Sequence, residues 1–349
     1  MPPGYWQGGG IRTLRDDRRL THARAAARRH VDGATTGLGP TRRCHGVGVS
    51  SGLLERWTCH HQRVSEREVR LSGTTVRPML RDDVVAAADA VRRGDWGDRE
   101  AFFRFAAAHS NCRPILAERD GEIVGTGVAT VSGRVGWVGT IWVAPTLRGR
   151  GLGRAITEAV IDELEGSGCR TLVLVATDAG RRVYERLGFE ILTHDHALVA
   201  PGLGAGRPFS APDPAIRAFA RIQHLDAVAA LDAWATGEDR RHILATCDGR
   251  VVVGAAGEVT AFALTSAFGG VATVARDVSD ALRLFDLRRR EAGPEDRIRA
   301  GAFDENVSGL ERLVADGWTE AWSGSRMIRG QPLDWTPTAI WSQFNHAIG

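Results

Sequence analysis

The chain has 349 residues, is 43% hydrophobic and 25% charged, and carries a formal net charge of +3. This is ordinary globular usage, with room for two domains and a sizeable core, and no apolar run approaches the length of a membrane span. All 45 basic residues are arginine, which excludes a Walker A lysine, a lysine Schiff base and a lysine general base. The N-terminus lacks the apolar stretch of a secretory signal. Five cysteines (Cys44, Cys59, Cys112, Cys169, Cys247) are scattered without CxxC spacing. They read as free thiols in a reducing cytoplasm rather than a disulfide framework, and the expected location is cytoplasmic.

Residues 1–73 hold 13 arginines against six acids, a balance of +7, while the remainder is −4. This basic, Gly- and Thr-rich stretch has little hydrophobic periodicity and is expected to be disordered. Phosphate-backbone contact is its functional reading, but poor aromatic interleaving argues against a nucleic-acid partner. The groups Cys44-His45 and Cys59-His60-His61 lack the close ligand pairs of a zinc loop, and no metal site is expected.

Regular structure begins after residue 74. Thr75–Leu80 reads as a strand, and Asp82–Arg93 as a helix with Val84, Val85, Ala88 and Val91 on one side. Arg99–Ala108 is a second helix. Pro114–Glu118 and Glu122–Val131 form a hairpin about Asp120-Gly121. After a turn at Gly133-Arg134 comes the apolar run Val135–Val143, stopped by Pro145. A helix over Arg154–Glu165, a buried strand Thr171–Ala176, a short helix Ala179–Leu187 closing at Gly188, and a strand Phe189–Leu192 follow. Pro and Gly crowd residues 200–214, which read as a linker.

Beyond the linker the pattern repeats weakly. Gly121–Val131 matches Gly257–Ala267 at an offset of 136, and the glycines Gly188 and Gly317 pair at an offset of 129. Two divergent copies of one unit are expected, over 74–199 and 215–330, with residues 331–349 as a tail.

The chemistry concentrates in Val143–Gly153, VAPTLRGRGLG. A strand runs into an arginine- and glycine-rich loop and a helix opens at once. Glycines let backbone N–H groups approach an anion, and the helix N-terminus adds orphan donors and dipole. The loop predicts a pyrophosphate cradle. It is not a GxGxxG fingerprint, because Arg154 stands where the last glycine is needed.

Arg148-x-x-Gly151-x-Gly153, after the strand ending Ile141-Trp142-Val143, resembles the acyl-CoA signature of the GNAT superfamily of N-acetyltransferases. Ala176–Phe189 resembles the later strand–helix segment of that superfamily. The likeness is strong over about 75–195 and weaker over 215–330, whose Ala315–Trp318 and Met327–Gly330 resemble the second domain of tandem members. The fold so implied is α/β (α+β): a mixed, mainly antiparallel central sheet flanked by helices, in two tandem copies.

The resemblance implies acetyl-CoA as co-substrate and no metal. Backbone groups along Ile141, Trp142 and Val143 would pair with the pantetheine, and Arg148, Gly149, Arg150, Gly151, Leu152 and Gly153 would hold the pyrophosphate. Tyr184 falls at the position of the general acid that protonates the departing thiolate, and Thr177 stands where many members place an asparagine on the cofactor chain. A phenol stays protonated at neutral pH, as that role requires. The strand Thr171–Ala176 has no ionisable residue, so the base is open among His109, His194, Asp195 and His196. The second copy has neither RxxGxG in Gly269–Leu282 nor a tyrosine, and is expected to bind no CoA. Its tryptophans Trp318, Trp322, Trp335 and Trp341 are read as core or as lining of an acceptor surface.

Direct acetyl transfer to the amine of a small molecule, in a ternary complex, is the leading function. A catalytically silent acyl-CoA-binding regulatory or scaffold protein is the alternative. No membrane partner is expected, and a homodimer is left open.

Overall fold

A computed structural model describes residues 69–71, 73–204 and 213–349. The expectations for residues 1–68, including the zinc reading and Cys44 and Cys59, lie outside the described residues.

The first copy is β2 (Thr74–Pro78), α1 (Val84–Arg93), α2 (Glu100–Ala108), β3 (Cys112–Arg119), β4 (Glu122–Ser132), β5 (Val135–Val143), α3 (Leu152–Gly166), β6 (Thr171–Ala176), α4 (Asp178–Glu185) and β7 (Glu190–Pro201), preceded by β1 (Val69–Leu71). The second is β8 (Ile216–Ala218), α5 (Arg221–Thr236), α6 (Arg241–Leu244), β9 (Asp248–Val253), β10 (Val259–Thr265), β11 (Val271–Ala275), α7 (Val278–Glu291), β12 (Arg297–Phe303), α8 (Val307–Ala315) and β13 (Thr319–Gly330). A last short strand, β14 (Ile340–Ser342), follows. The protein is thus the expected mixed, mainly antiparallel α/β fold in two tandem copies.

The apolar runs sit where their patterns placed them. β5 and β6 are continuous apolar segments buried on both faces, as interior strands require. In α1, Val84, Ala87, Ala88 and Val91 form the buried stripe, but Val85 is 52% exposed. One residue on from Val84, it is rotated about 100° off that stripe, which corrects the expected face.

The sheets show what the sequence concealed. One is ordered β1-β2-β3-β4-β5-β6-β13-β7-β12, the other β14-β11-β10-β9-β8. Strand β13 of the second copy lies between β6 and β7 of the first, and β7 of the first lies between β12 and β13 of the second. The two copies therefore exchange their sixth strands. Adding 129 to each residue number carries β7 onto β13 end to end. The antiparallel register between them has the same symmetry, with His194↔Ser325 matched by His196↔Ser323. Each strand skips one residue at a bulge, Leu192 and its counterpart Ala321.

This exchange is energetic as well as topological. Met327 is fully buried in the core of the first copy, beside Ile156, Val160 and Leu164 of α3. Its counterpart Leu198 is buried in the core of the second, beside Leu284 and Phe285 of α7. Each such side chain contributes about 1.5–3 kcal/mol on burial. On the other face a single apolar cluster joins α1 and α2 to α5, β9, β10 and β11. The thiols of Cys112, Cys169 and Cys247 are buried and unpaired with one another, and desolvation pushes them up to about 11, 11 and 12, which leaves them unreactive.

Candidate active site

β5 and β6 run parallel and pair only over Val135–Trp137 and Thr171–Val173. Beyond that point they splay, so a V opens toward their C-terminal ends. The cause lies in β5. Thr140 has φ +52, and the register with β4 shifts beside it, between Thr126 and Val128. A β-branched residue in the left-handed region is strained by about 1–3 kcal/mol, and a bulge turns the strand away from its neighbour. Thr126 Oγ1 donates to the Thr140 carbonyl at 3.0 Å and holds the kink. No sequence pattern marks Thr140; the strain becomes visible only in three dimensions.

The V opens onto two helix N-termini. Gly151, at φ +85, is the N-cap of α3, and Gly149 has φ +75; a Cβ at either would meet open space. Residues Arg148 to Gly151 are exposed; the Arg148 N–H donates to the Pro145 carbonyl at 3.4 Å, and those of Gly149 to Gly151 can face an anion. Arg148 Nε donates to the Val143 carbonyl at 3.0 Å, tying the loop to the end of β5. Arg150 is exposed, Leu152, the first residue of α3, is buried, and the Gly153 carbonyl accepts a 2.7 Å hydrogen bond from Thr157 Oγ1. At the second helix Thr177 is the N-cap of α4, its Oγ1 accepting from the Gly180 N–H at 3.3 Å. The cap explains the residue locally, while its O–H remains a donor.

The three residues ending β5 divide. Ile141 and Val143 are half-buried and pack on the side of α3. Trp142 is 3% exposed and belongs to the opposite core, its indole lying against Gly94 at the end of α1. Its Nε1 has no partner among the described residues. Only the backbone of Trp142 faces the V.

Tyr184 is half-buried on α4 and packs with the α3 core, its ring 6.1 Å from that of Phe189 in an edge-on arrangement. Desolvation pushes its phenol up to about 12. It is therefore protonated throughout the neutral range.

The opposite face of the V is built by the second copy and the segment after it. Gln343 Nε2 donates to Asp195 Oδ2 at 2.7 Å, and His346 Nε2 lies 3.1 Å from the same oxygen. Asp195 is 4% exposed. Arg326, 1% exposed, donates from Nη1 to Gln343 Oε1 at 3.1 Å, and its guanidinium stacks on Trp137, Phe303 and Trp335 at 4.6–5.2 Å. Trp137 Nε1 donates to buried Glu238 at 2.8 Å. Burial pushes the Glu238 carboxyl up despite Arg240 and Arg326 nearby.

Of the four candidate bases, Asp195 alone joins this network. His194 and His196 alternate to the other face of β7. They bind Asp304 at 2.8 and 2.7 Å, and His196 also binds Glu320 at 2.8 Å. Burial opposes the charge of His196, but Asp304 and Glu320 prevail and raise its pKa. His109 stacks between Phe105 and His242, and desolvation lowers it. Gln343, Arg326 and His346 escape a sequence reading because they lie 131 to 151 residues beyond Asp195.

In the second copy β11 passes to α7 through Arg276 and Asp277 alone, so there is no loop to cradle an anion. The expected position of the missing cradle, Gly269–Leu282, is mostly strand and helix. β14 pairs with β11 (Thr273↔Ser342, Val274↔Ile340) on the side facing β12. Trp341 of that strand is 1% exposed against Phe285. The counterpart of the first copy's V is thus filled by the chain itself. Trp318 is likewise core, Trp335 stacks on Phe303, and Trp322 is half-buried beside His346.

Residues 80–189 match the acetyltransferase (GNAT) family profile. That segment is a GNAT-family acetyltransferase domain, and the chain as a whole has the tandem GNAT fold. Mycothiol acetyltransferase of Streptomyces coelicolor is 40% identical over 89 residues, 24% of this chain and 28% of that protein. Mycothiol acetyltransferase of Streptomyces griseus is 36% identical over 109 residues, 30% and 31% of the two chains. The chain thus spans less than a third of the length of these curated relatives. Among solved structures, a candidate acetyltransferase of Pyrococcus horikoshii superposes with a TM-score of 0.68 at 18% identity, over 81% of this chain and 99% of that one. A tandem GNAT protein from the clavulanic acid biosynthesis pathway gives 0.51 at 12% identity, over 74% and 99%. No helix among the described residues is long and apolar enough to cross a membrane.

Proposed function

We propose that the protein is an acetyl-CoA-dependent N-acetyltransferase, passing the acetyl group directly to the amine of a small molecule in a ternary complex. The observation that carries this reading is the splay between β5 and β6, opening onto two helix N-termini with a tyrosine on one side. The residues present fit the co-substrate. Exposed backbone donors from Gly149 to Gly151 at the head of α3 suit a pyrophosphate, and the freed edge of β5 at Ile141 and Val143 can pair with an extended amide chain. A preorganised N–H aimed at a developing oxyanion is worth a few kcal/mol. Tyr184 would give its phenolic proton to the departing thiolate. Buried Cys112, Cys169 and Cys247, pushed well above neutral pH, give no support to a covalent acyl-enzyme.

The Streptomyces relatives are named mycothiol acetyltransferases, but the shared stretch is under a third of either chain. The acceptor here is set instead by the face built from Trp322, Gln343 and His346. Calorimetric titration of acetyl-CoA tests the reading, with Gly151→Trp as control. One-to-one binding that the control loses, in a variant with an unchanged far-ultraviolet spectrum, is expected. Binding without transfer to any amine would favour the silent acyl-CoA-binding protein, and binding that Gly151→Trp leaves intact would remove the cradle.

A further inference from the structure

Transfer to an amine needs a proton acceptor, and β6 supplies no ionisable side chain. The segment after β13 supplies one from the other face. Ala347 packs directly on Gly139, within the splayed part of β5, where a Cβ would overlap it. One residue earlier, the ring of His346 lies 4.8 Å from that of Trp322. Trp322 in turn covers Gly324, where a Cβ would stand 3.0 Å from the carbonyl of Ala176, the last residue of β6. Residues 346 and 347 therefore bridge the mouth of the V from one lip to the other. Ala347 and Ile348 are buried in the core that holds α1 and α2, whereas Tyr184 belongs to the core of α3. The segment that carries His346 and the helix that carries Tyr184 thus pack into different cores, on opposite faces of the sheet.

We infer that His346, held by Asp195, is the general base that deprotonates the acceptor amine. The inference rests on the transferase reading above. The Asp195 carboxylate, 3.1 Å from Nε2, favours the tautomer that keeps its proton on Nε2 and its lone pair on Nδ1. Asp195 is a positioning residue, itself fixed by Gln343, which Arg326 holds. The charged groups around the pair are Arg326 and Glu238 behind it, and Glu305, which accepts from Thr193 Oγ1 at 2.8 Å. His346 takes a proton from the ammonium, and the freed amine forms the C–N bond at the thioester carbonyl. The C–S bond breaks, the thiolate takes the phenolic proton of Tyr184, the second proton of the nitrogen restores that phenol, and His346 passes its own proton to solvent. In sum, an ammonium and a thioester give an amide, a thiol and one proton to solvent.

The test uses the full chain, acetyl-CoA and two probe amines, with thiol release as the readout: an alkylamine of lysine type, pKa about 10.4, and glycinamide as an α-amine, pKa about 8. His346→Gln should lower kcat for the alkylamine about 100-fold or more at neutral pH, the usual scale of general-base catalysis. The loss should shrink for the α-amine, which sheds its proton unaided more readily, and acetyl-CoA affinity should not change. Asp195→Asn should reproduce that split, with a larger loss for the alkylamine than for the α-amine at unchanged acetyl-CoA affinity; a merely structural role would lower both rates equally. Equal losses for both amines in either variant would overturn the assignment of the base while leaving the transferase reading intact. Failure to bind acetyl-CoA, or binding with no thiol released to either amine, would overturn both.

Discussion

The two copies share an architecture and differ at every position where chemistry would occur. At the constant offset of 129, Thr177 and Asn306 are both helix N-caps, accepting from Gly180 and Gly309 respectively. Gly188 and Gly317 both have φ +84. Between those matched landmarks Tyr184 faces Leu313, a phenol at the edge of a cleft against a fully buried aliphatic. The first copy's V is open and the second's is filled by β14. Helix capping and chain reversal are thus retained in both copies, while the proton donor and the cleft survive in one. What the second copy supplies instead is a strand, an arginine and one wall for the first.

Four substitutions would break or sharpen this contrast. The largest effect is expected from Trp341→Ala, which empties the filled V and should cost about 3–5 kcal/mol, the usual range for a buried tryptophan. Chemical denaturation would measure it. Acetyl-CoA should still bind once per chain, and a stoichiometry of two would mean that β14 alone silences the second copy. Next, Tyr184→Phe should lower kcat about 100-fold with acetyl-CoA affinity retained. Because the phenol lies near 12, the wild-type rate should show no alkaline loss from it below about pH 10; a parallel fall in affinity would make the residue structural.

A smaller effect belongs to the histidines that β13 lacks, where Ser323 and Ser325 stand at the offsets of His194 and His196. The folded pKa of His196 is raised, so its stabilising contribution is complete below its unfolded value near 6.5 and fades as pH climbs through the folded value. That of Asp304 is lowered, so its share is complete above about 3.9 and fades as pH falls. The pair should contribute most between those limits, by no more than about 1 kcal/mol in so exposed a setting. Melting curves of His196→Gln and wild type should converge as pH climbs through the folded value. The smallest change is expected for Thr140→Gly, which relieves a positive φ and should stabilise by a few tenths of a kcal/mol up to about 1. A lower melting temperature would show that Thr140 is not strained.

Much of the first copy was legible in sequence because its signals are local. Val135–Val143 and Thr171–Ala176 are apolar runs bounded by turns, and both strands end where the runs end. The final strand was not. Phe189–Leu192 reads as its whole extent because Thr193, His194, Asp195 and His196 interrupt the apolar pattern, yet β7 runs to Pro201. Those polar residues are accommodated by β12 and β13, more than a hundred positions later. Exchange of strands leaves no local trace, since each half of the pattern is what an unexchanged copy would also show. Ile340–Ser342 is too short for periodicity to register. The cradle motif was legible for the same reason that β5 was, while His346 is placed beside Asp195 only by the fold.

The exchanged strands also set an order of events during synthesis. β6 and β7 can complete their pairing only with β13, which is translated about 130 residues after them. At 5–20 residues per second that is a wait on the order of ten seconds, during which two apolar-flanked strand edges stand open to any other nascent chain. The ribosome releases a first copy that cannot be finished from its own sequence, so deleting the second copy should show itself first as aggregation of the newborn chain.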